Sequence, residues 1–244
     1  MYIDIDGIKI HYLVKGKGKD AIFITGVFGD IKRYDEIINI LSKKYRVWAF
    51  DLPLHGKSGK LKKGFSLDGL VNLTKNFVEL LKIKNPTLFT HSAGGLIAIR
   101  YASKNPTNRI VLMNAAGLKV DKSKVSPKAM ALGTIRAFLK SKGHFWNSLV
   151  VMLFGTYNYA KNIFNRDFQR LFKNCLDQDL KEDIKNIKCP IIFLWGRNDT
   201  LLNENYVKTM KELSKKGEII WLDTNHDWPL FEPERIARYL SKWA

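Results

Sequence analysis

The chain opens on a strict alternation. In YIDIDGIKIHYLV, apolar and polar residues exchange places on either side of Asp6–Gly7, which predicts two strands joined by a tight Asp-Gly turn. After a second turn, KGKGKD, the pattern changes to short, uninterrupted apolar runs: AIFIT (21–25), YRVWAF (45–50), PTLFTH (86–91), RIVLMNA (109–115), PIIFLW (190–195) and EIIWL (218–222). Such runs fit strands buried on both faces. Between them lie segments with helical spacing. Ile31–Ser42 carries Ile37, Ile38 and Leu41. Ser66–Leu81 has Ser66 in a capping position and Leu70, Leu73, Phe77, Leu80 and Leu81 on one face. AGGLIAIRYASK, residues 203–214 and a closing stretch near Pro233 complete the helical set.

Strands alternating with helices predict an α/β fold: a mostly parallel, eight-stranded sheet with helices on both faces and an antiparallel hairpin at one edge. The alternation breaks at Leu118. From there to Lys185 no buried strand is legible, and PKAMALGTIRAFLK, FWNSLVVMLF and RDFQRLFKNCL read as helices. The expected organisation is a core of residues 1–117 and 186–244 with a helical cap, 118–185, inserted into it. The cap is rich in apolar and aromatic residues, among them Phe138, Phe145, Trp146, Leu149, Met152, Phe154 and Tyr157. Most of these would form the cap's own interior, and those facing the sheet would wall a pocket.

Composition changes this picture little. A hydrophobic fraction of 45% and a charged fraction of 26% are ordinary for a globular chain and exclude collagen-like or disordered classes. The formal net charge of +18 is unusual. The lysines are scattered from Lys9 to Lys242, however, and the densest stretch, GKSGKLKKG, reads as a solvated loop. No zinc-finger spacing, aromatic RNA-binding signature or long basic helix accompanies the charge, so no specific nucleic-acid partner is expected. Weak association with anionic surfaces is as much as the charge predicts. Cys175 and Cys189 lack redox or metal-ligand spacing. The charged N-terminus does not read as a signal peptide, and the longest apolar run, LVVMLF, is too short to span a bilayer. The expected location is cytoplasmic. Neither metal nor organic cofactor is expected, and oligomeric state is not legible.

Chemistry-bearing residues collect where the predicted strands end. GVFGD follows AIFIT, DLPLHGKSG follows YRVWAF, HSAGG follows TLFT, RND follows IIFLWG, and DTNHDWP follows IIWL. In open parallel sheets ligands bind beyond the carboxyl ends of the strands, so these residues share one rim. In FTHSAGGL, Ser92 stands at a strand–helix junction, followed by Ala93, Gly94 and Gly95. A serine that only capped the helix would not need these glycines. A nucleophile thrown out on a sharp turn would, because two backbones pass close together there. A serine nucleophile needs a base. Of the five histidines, His226 lies in the loop after the last strand, at the rim. His55 is a second choice, His91 points away from its neighbour Ser92, His11 lies in the edge hairpin and His144 in the cap. The base needs a carboxylate to hold its tautomer. Asp199 ends the preceding strand, whereas Asp223 and Asp227 lie nearer His226 in sequence.

The order Ser…Asp…His, with HSAGG, DLPLHGKSG, WGRND and NHDWPLFEPERI in succession, resembles the α/β-hydrolase superfamily over the whole chain apart from the cap. The resemblance implies a hydrolase of carboxylic esters, with catalytic Ser92, Asp199 and His226 and no cofactor. It also implies an oxyanion hole from the backbone N–H groups of Ala93 and Val27. Phe28, next to Val27, is a candidate pocket wall, with the cap residues Phe145 and Trp146. The sequence departs from the family's pattern at Thr25, where histidine is common, and at Leu54 and Thr90, where glycine is frequent. A small, apolar acyl substrate is expected. Cleavage of a lactone, thioester, amide or carbon–carbon bond, or ligand reception without turnover, uses the same scaffold. Epoxide and haloalkane hydrolysis in this superfamily would require an aspartate in place of Ser92.

Overall fold

The computed structural model describes residues 1–26, 29–60, 66–120 and 165–243. The eight strands are β1 (Tyr2–Ile5), β2 (Ile8–Lys15), β3 (Lys19–Ile24), β4 (Tyr45–Phe50), β5 (Thr87–Ser92), β6 (Arg109–Ala115), β7 (Ile191–Gly196) and β8 (Gly217–Leu222). They form one sheet in the order β1-β2-β4-β3-β5-β6-β7-β8. The β1–β2 and β2–β4 pairs are antiparallel and the rest are parallel.

Each apolar run feeds both faces, as its lack of alternation requires. On β3, Ile22 and Ile24 enter one core and Ala21 and Phe23 the other. The first core receives α2 (Leu67–Leu80) and α3 (Gly94–Lys104), together with α4 (Arg166–Asp177), α5 (Lys181–Asn186) and α6 (Glu204–Leu213). The second receives α1 (Asp35–Leu41), α7 (Trp228–Phe231) and α8 (Ala237–Trp243). Ser66 caps α2, its hydroxyl accepting the Gly69 N–H at 3.0 Å.

The closing helix differs from the expectation of a start near Pro233. Helix begins at Trp228, is broken, passes through a 3₁₀ turn at Pro233–Ile236, and resumes at Ala237. Pro233 offers no N–H, so it starts a new turn more readily than it continues an old one. Of the expected cap, RDFQRLFKNCL is the helix α4; the other two proposed helices lie outside the described residues. So do Phe138, Phe145, Trp146, Leu149, Met152, Phe154 and Tyr157, as well as Val27 and Phe28. No helix among the described residues is long and apolar enough to cross a membrane.

Strand order reverses at β3, which has β4 on one side and β5 on the other. A crevice opens at such a switch point, beyond the carboxyl ends of the two strands. Thr25–Gly26 and Ser92 stand at those ends.

Candidate active site

Ser92 is the last residue of β5, and its φ is +52°. A non-glycine residue in this left-handed region stores about 1–3 kcal/mol of strain, and the surroundings explain why it is held. A Cβ on Gly94 would lie 2.5 Å from Thr90 Oγ1 and 2.6 Å from the Thr25 carbonyl, and one on Gly95 would lie 2.5 Å from the Ala116 carbonyl. Only a chain without side chains there can turn this tightly from strand into α3. Thr90 suits the same place, since its hydroxyl donates to the Ile24 carbonyl at 3.1 Å. Ser92 does not cap α3; the cap position is Ala93. As the first N–H groups of a helix have no acceptor within it, the Ala93 N–H stands at the helix start beside the Ser92 hydroxyl.

The structure brings three of the sequence-selected side chains together. His226 Nε2 is 3.2 Å from Ser92 Oγ, and His226 Nδ1 is 2.8 Å from Asp199 Oδ2. Asp199 is fully buried, and His226 retains 15% exposure. The carboxylate accepts throughout. Oδ1 receives the Leu201 and Leu202 N–H groups at 2.8 and 2.9 Å, and Oδ2 receives Asn114 Nδ2 at 2.6 Å as well as His226. His226 Nδ1 therefore carries the proton, and in the neutral ring Nε2 is left to accept from Ser92. Burial pulls His226 down, but the charge and hydrogen bond of Asp199, with Asp227 beyond, outweigh it and push the ring up to about 9.

The loops carrying the acid and the base are zipped together. Arg197 and Asn198 donate their N–H groups to the Leu222 and Thr224 carbonyls, both at 2.9 Å. A Cβ on Gly196 would lie 2.5 Å from the Thr224 carbonyl, so the glycine of WGRND permits this approach. Asp223 instead receives Asn198 Nδ2 at 3.1 Å on the exposed side.

His11 and His55 are engaged elsewhere. His11 Nδ1 lies 2.7 Å from Asp51 Oδ2, and Asp51 also receives the Ile31 and Lys57 N–H groups at 2.8 and 3.0 Å. The DLPLHGKSG loop is thus a brace beneath the rim. His55 donates Nδ1–H to the Pro53 carbonyl at 3.0 Å, and its ring packs 5.6 Å from that of Phe168. Leu54 adopts φ +69°, which accounts for the frequent glycine at that place in the family. The hydroxyl of Thr25 donates to the Gly29 carbonyl at 3.3 Å and ties down the loop after β3.

Residue-by-residue reading missed Asn114, Tyr34 and Trp228. Asn114 lies inside an apolar strand run, and nothing local marks it as more than a polar residue at a strand end. Among the described residues, His91, His226 and Asp227 bring potential metal ligand atoms within 4.8 Å of one another. All four ring nitrogens of these histidines already have partners in Tyr34, the His226 carbonyl, Asp199 and Ser92, so an ion there would have to displace them.

Ala93 also borders a recess of about 20 Å³. Its described lining is mostly apolar: Leu52, Leu67, Leu70, Leu96, Ile97 and Leu171, with Asn174, Cys175 and Gln178 of α4. Burial pushes the Cys175 thiol up to about 12.

A strained serine on a strand-to-helix turn at a sheet's switch point, with histidine and aspartate from the last two strand ends, defines the class of open α/β proteins built like hydrolases. The chain belongs to the α/β hydrolase fold family, whose model matches residues 22–233. It is 24% identical over 251 residues to the AB hydrolase superfamily protein YisY of Bacillus subtilis, covering 94% of this chain and 92% of that one. Solved structures share the fold at lower identity. The enol-lactonase from Burkholderia xenovorans LB400 is 18% identical, with a TM-score of 0.81 over 100% of this chain and 99% of that one. A structure from a study of carboxylesterases of the thaumarchaeon Nitrososphaera gargenis is 17% identical, with a TM-score of 0.80 over 99% and 97%.

Proposed function

We propose that the protein is a serine hydrolase that cleaves a carboxylic ester, or a related acyl bond, of a small apolar substrate through an acyl-enzyme on Ser92. The observation that carries this reading is the continuous hydrogen-bonded line from Asp199 through His226 to the Ser92 hydroxyl, on a backbone turn that is strained to expose it. His226 takes the Ser92 proton as Oγ attacks the carbonyl carbon. The Ala93 N–H holds the developing oxyanion, with Val27 as the proposed second donor. His226 then returns the proton to the leaving group, and in the second half it activates water against the acyl-enzyme. Asp199 keeps the ring in the tautomer that presents Nε2 to Ser92 and stabilises the imidazolium. An oxyanion donor contributes about 3–4 kcal/mol to the transition state.

The mostly apolar recess beside Ala93 supports an acyl group that is hydrocarbon. Helix α4, which borders the recess, belongs to the segment 118–185 that we assign as the cap, and substrate choice falls to it.

The decisive experiment is fluorophosphonate labelling combined with a panel of activated esters and lactones. The wild-type protein is expected to be labelled at Ser92 and to turn over members of that panel. Ser92→Ala is expected to lose both with its melting temperature kept. Turnover that persists in Ser92→Ala overturns the assignment.

A further inference from the structure

Tyr34 is buried at 2% exposure on the 3₁₀ turn Ile31–Tyr34. Its ring packs against Phe23 and His91, with centroids 5.1 and 5.8 Å away. The Tyr34 hydroxyl lies 2.7 Å from His91 Nδ1 and receives the Gly26 N–H at 3.4 Å, and His91 Nε2 lies 3.0 Å from the His226 carbonyl. The direction of these bonds is forced. A carbonyl only accepts, so His91 Nε2 carries the proton. In the neutral ring Nδ1 must then accept, and the Tyr34 hydroxyl donates to it. The result is a one-way line from Gly26 N–H, through Tyr34 and His91, to the backbone of His226. It joins the loop after β3 to the loop that carries the base.

We propose that Tyr34 and His91 are positioning residues whose hydrogen-bonded bridge holds the Gly26 loop and the His226 loop in register about the Ser92 elbow. The inference rests on the serine-hydrolase reading above, in which those loops supply an oxyanion donor and the general base. The bridge in this direction has a neutral His91. A protonated ring would have two donors, would turn the Tyr34 hydroxyl from donor to acceptor, and would stand 5.1 Å from the His226 ring just as that ring takes up its own proton. Burial first, and then the neighbouring His226, hold His91 well below the ordinary histidine range. Bulk alone would be served by an apolar side chain at this position. The polar bridge earns a different signature, because its value lies in geometry at the reacting atoms.

The test is a double-mutant cycle in ester turnover, with thermal melting and fluorophosphonate labelling of each variant. Tyr34→Phe is expected to lower kcat about five-fold, as for one lost neutral hydrogen bond, with KM unchanged. His91→Leu is expected to lower kcat further. His91→Gln, whose amide both accepts and donates, is expected to recover most of that loss. In the His91→Leu background, Tyr34→Phe should cost less than it does in the wild type, since its bond to His91 is already gone and only the long contact from the Gly26 N–H remains to be lost. Additive losses, a His91→Gln variant as slow as His91→Leu, or an effect confined to KM overturns the bridge. Should His91→Leu fail to fold, Tyr34→Phe alone decides, and an unchanged kcat in that variant overturns the bridge. Ser92→Ala run alongside separates the two levels. Turnover surviving in Ser92→Ala removes the hydrolase reading and the bridge with it, whereas a silent Ser92→Ala beside an additive cycle removes the bridge alone.

Discussion

Asn114 donates its amide to the same oxygen of Asp199 that holds the His226 ring, at 2.6 Å. The orientation of that amide is unambiguous. Its oxygen receives the Gly196 N–H at 3.0 Å and the Trp228 indole N–H at 2.8 Å, so its nitrogen faces the carboxylate. Asn114 adopts φ +42° to do this, and it ties β6, β7 and α7 to the acid. Asn114→Leu leaves two buried donors and one carboxylate oxygen short of a partner. At about 1–3 kcal/mol per unsatisfied group, urea unfolding should show a loss of roughly 3–9 kcal/mol. Asn114→Asp should be milder at pH 4, where the new carboxyl can donate, than at pH 8, where two carboxylates face one another. Equal losses at both pH values would contradict this geometry.

The pH dependence follows from His226, which faces Ser92, Asp199, Asp227 and His91. The proposed base works when neutral, and its ring is pushed up to about 9. The kcat/KM for an ester should therefore climb with pH and reach half its plateau near that value. The accompanying stability has the opposite sign. A raised folded-state value means that the stabilisation is complete below the unfolded histidine value of about 6.5 and is lost as pH rises through the folded value. Asp199→Asn removes the main upward influence and should move the acidic limb to lower pH. It should also cost about 10³–10⁴ in kcat, because the tautomer is no longer held. A pH profile unchanged in Asp199→Asn would dissociate the carboxylate from the titration.

Gly94→Ala tests the elbow itself. A methyl group there meets Thr90 Oγ1 and the Thr25 and Ile24 carbonyls at 2.5–2.7 Å, and backbone cannot yield as a flexible side chain does. We expect a loss of about 1–3 kcal/mol in unfolding free energy, as for overpacked cores, with a larger proportional loss of Ser92 labelling rate. A variant as stable and as reactive as wild type would remove the steric argument for the glycine.

The recess by Ala93 gives a prediction on chain length. Cys175→Phe should depress kcat/KM for the longer members of a graded ester series most, and Cys175→Ala should extend the range. Cys175 is half-buried, and burial pushes its thiol up to about 12, so iodoacetamide at pH 8 should modify it far more slowly in the folded than in the unfolded protein. Rapid alkylation of Cys175 would show that the recess is open to solvent.

Much of the fold was legible because its signals are local. The apolar runs at 21–25, 45–50 and 190–195 report burial on both faces by lacking alternation, and each became a strand of the sheet. The Asp-Gly turn and the Ser66 cap are backbone chemistry confined to a few residues. The helix at 203–214 was readable to within a residue at each end. The break at Trp228–Ile236 was not, because Pro229 and Pro233 each start a turn and only packing of Trp228, Leu230, Phe231 and Ile236 on the second core decides where each ends.

By itself the sequence determined the kind of sheet, the rim at which chemistry collects and the tight junction after Ser92, because strand periodicity and small side chains at a close approach are constraints between near neighbours. The sequence position of Asp199 already singled it out as the acid; only the tertiary structure decided the bond it makes to His226, that Asn114 holds it, and that Tyr34 reaches His91. Those contacts join residues 27, 85 and 57 positions apart. A hydrogen bond is directional and about 3 Å long, so it is set by how the strands stack side by side and not by any pattern along one of them.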